Sequence, residues 1–199
     1  MTSTMPSPTP TTAFTATPAL PAILGTYKRQ APLFVRGDGV YLFDEHGKKY
    51  LDLVAGIAVT SLGHNDPGVM HAMQEALATG LIHTSNLYRT APGEALAQWF
   101  VDHSFASSVF FANSGAEANE GAFKFARRWG GTQGFPTKHH IIAVRGAFHG
   151  RMPGTLAATD RSAYRLPFRP LMGGVTIVER DLDELARALH PEKTAAVIV

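Results

Sequence analysis

The chain of 199 residues contains no cysteine. That excludes a disulfide framework, a thiolate metal site and a thiol nucleophile, and it agrees with a cytoplasmic location. No apolar run approaches the roughly 18 residues of a membrane-spanning helix, so no membrane association is expected. There is no block of Lys or Arg and the formal charge is only +2, so nucleic acid is not expected as a partner. No HExxH occurs among the nine histidines. The adjacent His139 and His140 would face opposite sides of a strand, and no metal site is expected. Residues 1–24 lack any charged side chain and are rich in Thr, Pro, Ala and Ser; they read as a disordered head. This head lacks the basic start and continuous apolar stretch of a signal peptide, and the arginines of a mitochondrial presequence.

What is present is enough apolar sequence, 45%, to bury a core. From Leu33 to Val54 short strand candidates alternate with turns: Leu33–Val35, a turn at Gly37-Asp38-Gly39, Val40–Phe43, a turn at Asp44–Gly47, then Lys49–Leu53. This pattern predicts a small antiparallel meander. Gly37-x-Gly39 has no third glycine and no following helix, so it is not a dinucleotide site. Gly56 to His64 reads as an irregular apolar loop. Asp66-Pro67 opens a helix that Gly80 stops, and Pro92 opens another. Further on, His140–Val144, Val175–Val178 and Ala195–Val199 are strand candidates, with a helix capped by Asp181 between the last two. Strand and helix alternate from residue 107 onward, which predicts a mainly parallel sheet in an α/β fold. The last strand has no helix after it, so the chain is expected to be the front part of a longer protein.

The centre of this half is Phe110 to Glu120. Val109–Phe111 reads as the end of a buried strand. A short turn at Ser114-Gly115 follows, then a helix whose Ala118, Ala122, Phe125, Ala126 and Trp129 fall on one face. Ser114 with Glu117 three residues later is a capping-box pattern. A strand feeding a tight turn into a helix presents free backbone N–H groups to an anion. Gly115 and Ala116 are small enough to let a phosphate approach, and Ser114 adds a hydroxyl. A plain capped helix explains the cap but not the run of small residues.

The segment Asn113 to Glu120, followed by Phe148-His149-Gly150-Arg151, resembles the class III (subgroup II) aminotransferases, fold-type I enzymes that use pyridoxal 5′-phosphate. Gly56–Val59, Leu62–His64 and Ser85–Tyr88 are similar to the acetylornithine aminotransferase branch. The resemblance runs from about Tyr27 to Val199. It implies that 25–66 is an N-terminal segment of the small domain, carrying the meander, and 67–199 the first, incomplete part of the large, cofactor-binding domain.

The resemblance also implies roles. Ser114, Gly115 and Ala116 would hold the cofactor phosphate; Phe148 would stack on the pyridine ring, with His149 packed beside it; Arg151 would fork onto the substrate α-carboxylate. Tyr27 and Asn86 would line the substrate pocket. The Schiff-base lysine would lie beyond Val199, since Lys124, Lys138 and Lys193 do not match its position, so no catalytic residue is assigned in 1–199 and this piece alone is expected to be inactive. The implied reaction moves the terminal amino group of N2-acetylornithine to 2-oxoglutarate, in arginine biosynthesis, by a homodimer. Alternatives are succinylornithine, acyl-lysine, ornithine or 4-aminobutyrate as donor. A glutamate-1-semialdehyde aminomutase is a further alternative, against which Arg151 speaks.

Overall fold

The computed structural model describes residues 22–199, so the head expected over 1–24 lies almost wholly outside the described residues. The chain divides into two compact units, one ending at Leu87 and the other spanning Tyr88–Val199.

In the first unit, β1 (Phe34–Asp38), β2 (Tyr41–Asp44) and β3 (Lys49–Leu51) form the expected antiparallel meander in the order β1-β2-β3. Asp38 pairs with Tyr41, so the first turn is only Gly39-Val40, and Gly37 belongs to the strand. A two-residue turn with positive φ at its first position (54° at Gly39) follows the twist of the flanking strands. The second turn is organised by Asp44, whose carboxylate accepts from His46 N, Lys48 N and Tyr50 OH, each at 2.9 Å. Burial pushes this carboxyl up, but those bonds outweigh it and hold it below the usual carboxylate range.

β3 ends at Leu51, earlier than expected; Asp52 N still donates to Val40 O at 2.9 Å, but the side chain of Asp52 serves the segment that follows. Its carboxylate accepts from Val54 N and Ala55 N, and faces His64 Nε2 at 2.8 Å. The His64 bond is the main reason that its pKa is lowered. These contacts tie down α1 (Ala55–Ala58), a left-handed turn with φ of 49°, 63°, 63° and 63° along its length. L-residues avoid that region, so the surroundings must hold them there. α2 (Pro67–Ala78) is as expected: Asp66 Oδ1 accepts from Val69 N at 2.9 Å, and Gly80 with φ of 69° ends the run.

The second unit contains α3 (Ala91–Asp102), α4 (Gly115–Thr132), β4 (His140–Val144), α5 (Pro153–Ala158), α6 (Ser162–Arg165), β5 (Val175–Val178), α7 (Leu182–Ala188) and β6 (Thr194–Ile198). The three strands form a parallel sheet in the order β5-β4-β6, as the alternation predicts. β4 is central, and its Ile141, Ile142 and Ala143 are fully buried. Such a strand reads as an unbroken apolar run because both its faces are covered. Phe123 of α4 and Ala158 of α5 close the core over it.

Two expectations fail here. Val109–Phe111 is not a strand, and Phe110 and Phe111 are exposed; among the described residues no strand offers this segment a ladder partner. Phe110 instead meets Phe125 edge to face at 5.4 Å between ring centres. Of the apolar stripe of α4, only Ala126 packs against the core. Phe125 and Trp129 are 57% and 55% exposed, while Gly121, Phe123 and Gly130 are buried, with Asn119 and Glu120 half-buried beside them. The inward face carries polar side chains with specific partners, described below, and a pattern of hydrophobicity does not register these.

Candidate functional site

α4 begins as its sequence requires. Ser114 is extended, and its Oγ accepts from Glu117 N at 3.2 Å. The box is not closed as expected, because the Glu117 carboxylate accepts from Asn113 N at 2.6 Å, one residue before the cap. Helix geometry leaves the N–H groups of Gly115 and Ala116 without an acceptor inside the helix. A Cβ at Gly115 would have nothing within 4 Å. The start of this helix of 18 residues is therefore open to an approaching anion, on the end where the peptide dipoles favour negative charge.

The second motif lies against this helix start. At Gly150 (φ of 135°) a Cβ would stand 2.7 Å from Ala116 Cβ and 2.7 Å from Thr155 Oγ1. Asn119 Nδ2, one turn into α4, donates to His149 O at 3.0 Å. The loop's backbone is fixed from the other side by Thr159, which is fully buried. Its Oγ1 accepts from His149 N at 2.9 Å and Gly150 N at 3.3 Å, and lies 3.0 Å from Gly150 O and 2.9 Å from Thr155 O, to either of which it can donate. The start of α4 and the Phe148–Arg151 loop thus meet at Ala116 and Gly150, and again at Asn119 and His149.

The side chains of this loop differ sharply in exposure. Phe148 is 59% exposed and His149 only 6%. An exposed aromatic on a rigidly held loop is a ready stacking surface. The Arg151 guanidinium lies over the Tyr164 ring, 4.4 Å from its centre, which orients its planar donors. His149 Nε2 is buried with no hydrogen-bond partner. Burial pushes its pKa below the ordinary 6.5, so the ring sits neutral and does not serve as a charged ligand.

That neutral histidine sets an expected pH dependence. The unfolded chain takes up a proton near 6.5, whereas the buried ring resists it; protonation therefore favours unfolding. Stability is full above about pH 6.5 and falls as the pH drops below it. His140, whose pKa is lowered chiefly by burial, adds in the same direction, while Asp44 and Asp52 act only below 3.8. Urea midpoints of the full-length protein between about pH 8 and about pH 5 measure this slope. His149→Asn is expected to flatten it, and an unchanged slope would sink the assignment.

Tyr27 and Asn86 belong to the first unit, and both are exposed. Of the lysines set aside in the sequence, Lys138 is engaged elsewhere, its Nζ donating to Pro191 O at 2.7 Å. Among the described residues no cluster of three or more His, Asp or Glu could hold a metal, and no helix is long and apolar enough to cross a membrane.

Sequence reading missed Asn119, Glu120, Thr155 and Thr159, the polar residues that hold the loop. The available signal was Pro153 after Met152, a helix-start pattern that marks α5, with Thr155 and Thr159 at its two ends.

Residues 26–199 match the sequence profile of a family described as aminotransferase class-III. A protein of Gloeobacter violaceus named acetylornithine aminotransferase is 45% identical over 177 residues, 89% of this chain and 44% of its own. One of the same name from Archaeoglobus fulgidus is 44% identical over 89% of this chain and 45% of its own. The chain therefore spans less than half the length of these curated relatives. Among solved structures, an (S)-enantioselective omega-transaminase of Thermomicrobium roseum superimposes with a TM-score of 0.78 at 28% identity, over 84% of this chain and 43% of that one. The ornithine aminotransferase of Toxoplasma gondii ME49 gives a TM-score of 0.81 at 24% identity, over 88% of this chain and 42% of that one, which shows the shared fold.

Proposed function

We propose a function from one premise: this chain belongs to the class-III aminotransferase family. The reading supported best is an aminotransferase that uses pyridoxal 5′-phosphate to move the terminal amino group of N2-acetylornithine to 2-oxoglutarate. The observation that carries the cofactor is the contact between Gly150 and Ala116, which sets an anion-ready helix start beside an exposed aromatic ring. The relatives' names support the donor. With that reaction go a place in arginine biosynthesis, a homodimer and the cytoplasm. The division into a small-domain segment over 25–66 and part of a large domain over 67–199 is proposed with it.

The residues present fit the cofactor. Gly115 and Ala116 would offer backbone N–H groups to its phosphate. Ser114, whose Oγ accepts from Glu117 N, keeps its own proton to donate. Phe148 would cover one face of the ring, and its exposure leaves that face accessible. When bound, the cofactor supplies an electron sink for the pair released as the substrate C–H bond breaks. This chain's part is to bind and orient; none of Lys124, Lys138 and Lys193 is assigned the proton transfer. Arg151, its guanidinium plane set by Tyr164, would take the α-carboxylate through two parallel hydrogen bonds.

The donor reacts at its terminal carbon and 2-oxoglutarate at C2, so the carboxylate remote from the reacting carbon, the donor's α-carboxylate and the γ-carboxylate of 2-oxoglutarate, should in each case meet Arg151. Arg151→Lys in the full-length enzyme is expected to raise KM for both by roughly tenfold or more, with a smaller change in kcat, because an ammonium cannot reproduce the fork. A KM unchanged for either substrate would remove Arg151 from that role. The donor is tested by comparing kcat/KM of the cofactor-loaded, full-length protein for N2-acetylornithine and 4-aminobutyrate. Preference for the second would overturn the donor.

A further inference from the structure

Asn119 and Glu120 are consecutive, polar and half-buried on the inward face of α4. A helix that packs on a sheet ordinarily reserves that face for apolar side chains. Each has a partner 30 or more residues away in sequence. Asn119 Nδ2 donates to His149 O at 3.0 Å. The Glu120 carboxylate accepts from Gly154 N and Thr155 N through one oxygen, both at 2.8 Å. Those two N–H groups belong to the second and third residues of α5 and are its first two, since Pro153 has none; a helix cannot satisfy them internally. Glu120 therefore caps α5 from another element, and its negative charge strengthens both bonds. Met152, the residue at the α5 N-cap, contributes no side-chain cap of its own.

The two contacts bracket the loop. Asn119 holds its near side at His149, and Glu120 holds its far side where Arg151 and Met152 run into α5. Four residues earlier on the same helix, Ala116 stands under Gly150. One rigid helix thus carries both the anion-ready turn and the anchors of the aromatic and arginine loop.

We infer that Asn119 and Glu120 are positioning residues, a two-point clamp that sets the distance and angle of Phe148 and Arg151 relative to the Ser114–Ala116 turn. In its consequence for ligand binding this rests on the proposed cofactor; in its consequence for the loop it does not. A ligand that touches both parts, phosphate at the turn and ring at Phe148, depends on the clamp. A ligand that touches the turn alone does not.

The test uses the full-length protein and three variants, Asn119→Ala, Glu120→Ala and Glu120→Gln. In the cofactor-free protein, amide exchange is followed by mass spectrometry. Both alanine variants are expected to speed exchange in the 147–156 segment by about tenfold or more, with β4 amides within about twofold of wild type. Glu120→Gln keeps an acceptor oxygen and should fall between wild type and Glu120→Ala, and it serves as the reporter if Glu120→Ala does not fold. Equal acceleration of β4 and the loop, or an unchanged loop, would overturn the clamp.

A second measurement compares dissociation constants for pyridoxal 5′-phosphate and inorganic phosphate. The alanine variants should weaken the first by about tenfold or more while leaving the second within about twofold, because misplacement by an ångström is enough to lose a two-part fit. Equal loss of both would overturn the inference. Wild-type protein that fails to bind pyridoxal 5′-phosphate would sink the proposed function alone, and amide exchange would still decide the clamp.

Discussion

Gly150→Ala is expected to destabilise the protein by about 2–5 kcal/mol, from a strained backbone and an overfilled contact together. It is expected to abolish measurable cofactor binding as well. The added methyl would meet Ala116 Cβ and Thr155 Oγ1, each at 2.7 Å. Neither can withdraw, since Ala116 is fixed in the first turn of α4 and Thr155 is fully buried. A φ of 135° is also one that L-residues rarely adopt. The loop must therefore lift away from the helix start, carrying Phe148 and Arg151 with it. Gly115→Ala is the matched control. Its methyl enters open space at a helical position, so stability should hold within about 1 kcal/mol. Phosphate and cofactor affinity should still fall, because the open space is where the anion approaches. Urea unfolding and cofactor titration of the two full-length variants separate these outcomes. Equal stability of Gly150→Ala and wild type would refute the close approach.

The second large effect is expected at Thr159. Thr159→Val keeps the shape of the side chain and removes the hydroxyl, leaving His149 N and Gly150 N buried without their acceptor. That is expected to destabilise by about 2–4 kcal/mol, the desolvation cost of orphaned buried donors. Thr159→Ser restores the hydroxyl and loses only a methyl, for about 1 kcal/mol. The ranking Val worse than Ser is the diagnostic, because a purely apolar role for this buried residue predicts the reverse. Thermal or urea unfolding of the two variants decides between them.

Elements set by local chemistry were legible in the sequence. The caps at Asp66, Ser114 and Asp181 each accept from the backbone N–H three residues on, and β4 was readable from its unbroken apolar run. The α4 face was not legible. Periodicity selected Phe125 and Trp129, yet the core side is shared by Phe123, two close-packed glycines and the polar pair Asn119-Glu120. A half-buried carboxylate satisfied by the end of another helix looks, in one dimension, like a solvent-facing one. The same limit hid α5 (Pro153–Ala158), which shows no amphipathic pattern because every residue after Pro153 is buried. The candidate site was half legible. Ser114 to Ala116 followed from cap and residue size, whereas Phe148 to Arg151 followed only from resemblance, since no spacing rule links two segments more than 30 residues apart in sequence.

The bonds around His149 and Gly150 have a consequence for how such a site can change. The anchors of the loop described above grip main-chain atoms: His149 N and O, Gly150 N and O, and, through Glu120, Gly154 N and Thr155 N. Phe148, exposed at 59%, is not among those anchors, whereas Arg151 packs over Tyr164. The Phe148 side chain can therefore be exchanged while the loop's path is kept, so a changed surface there is separable from lost stability. For redesign, Phe148 is an adjustable setting on a fixed mount, and Asn119, Glu120, Gly150 and Thr159 are the mount.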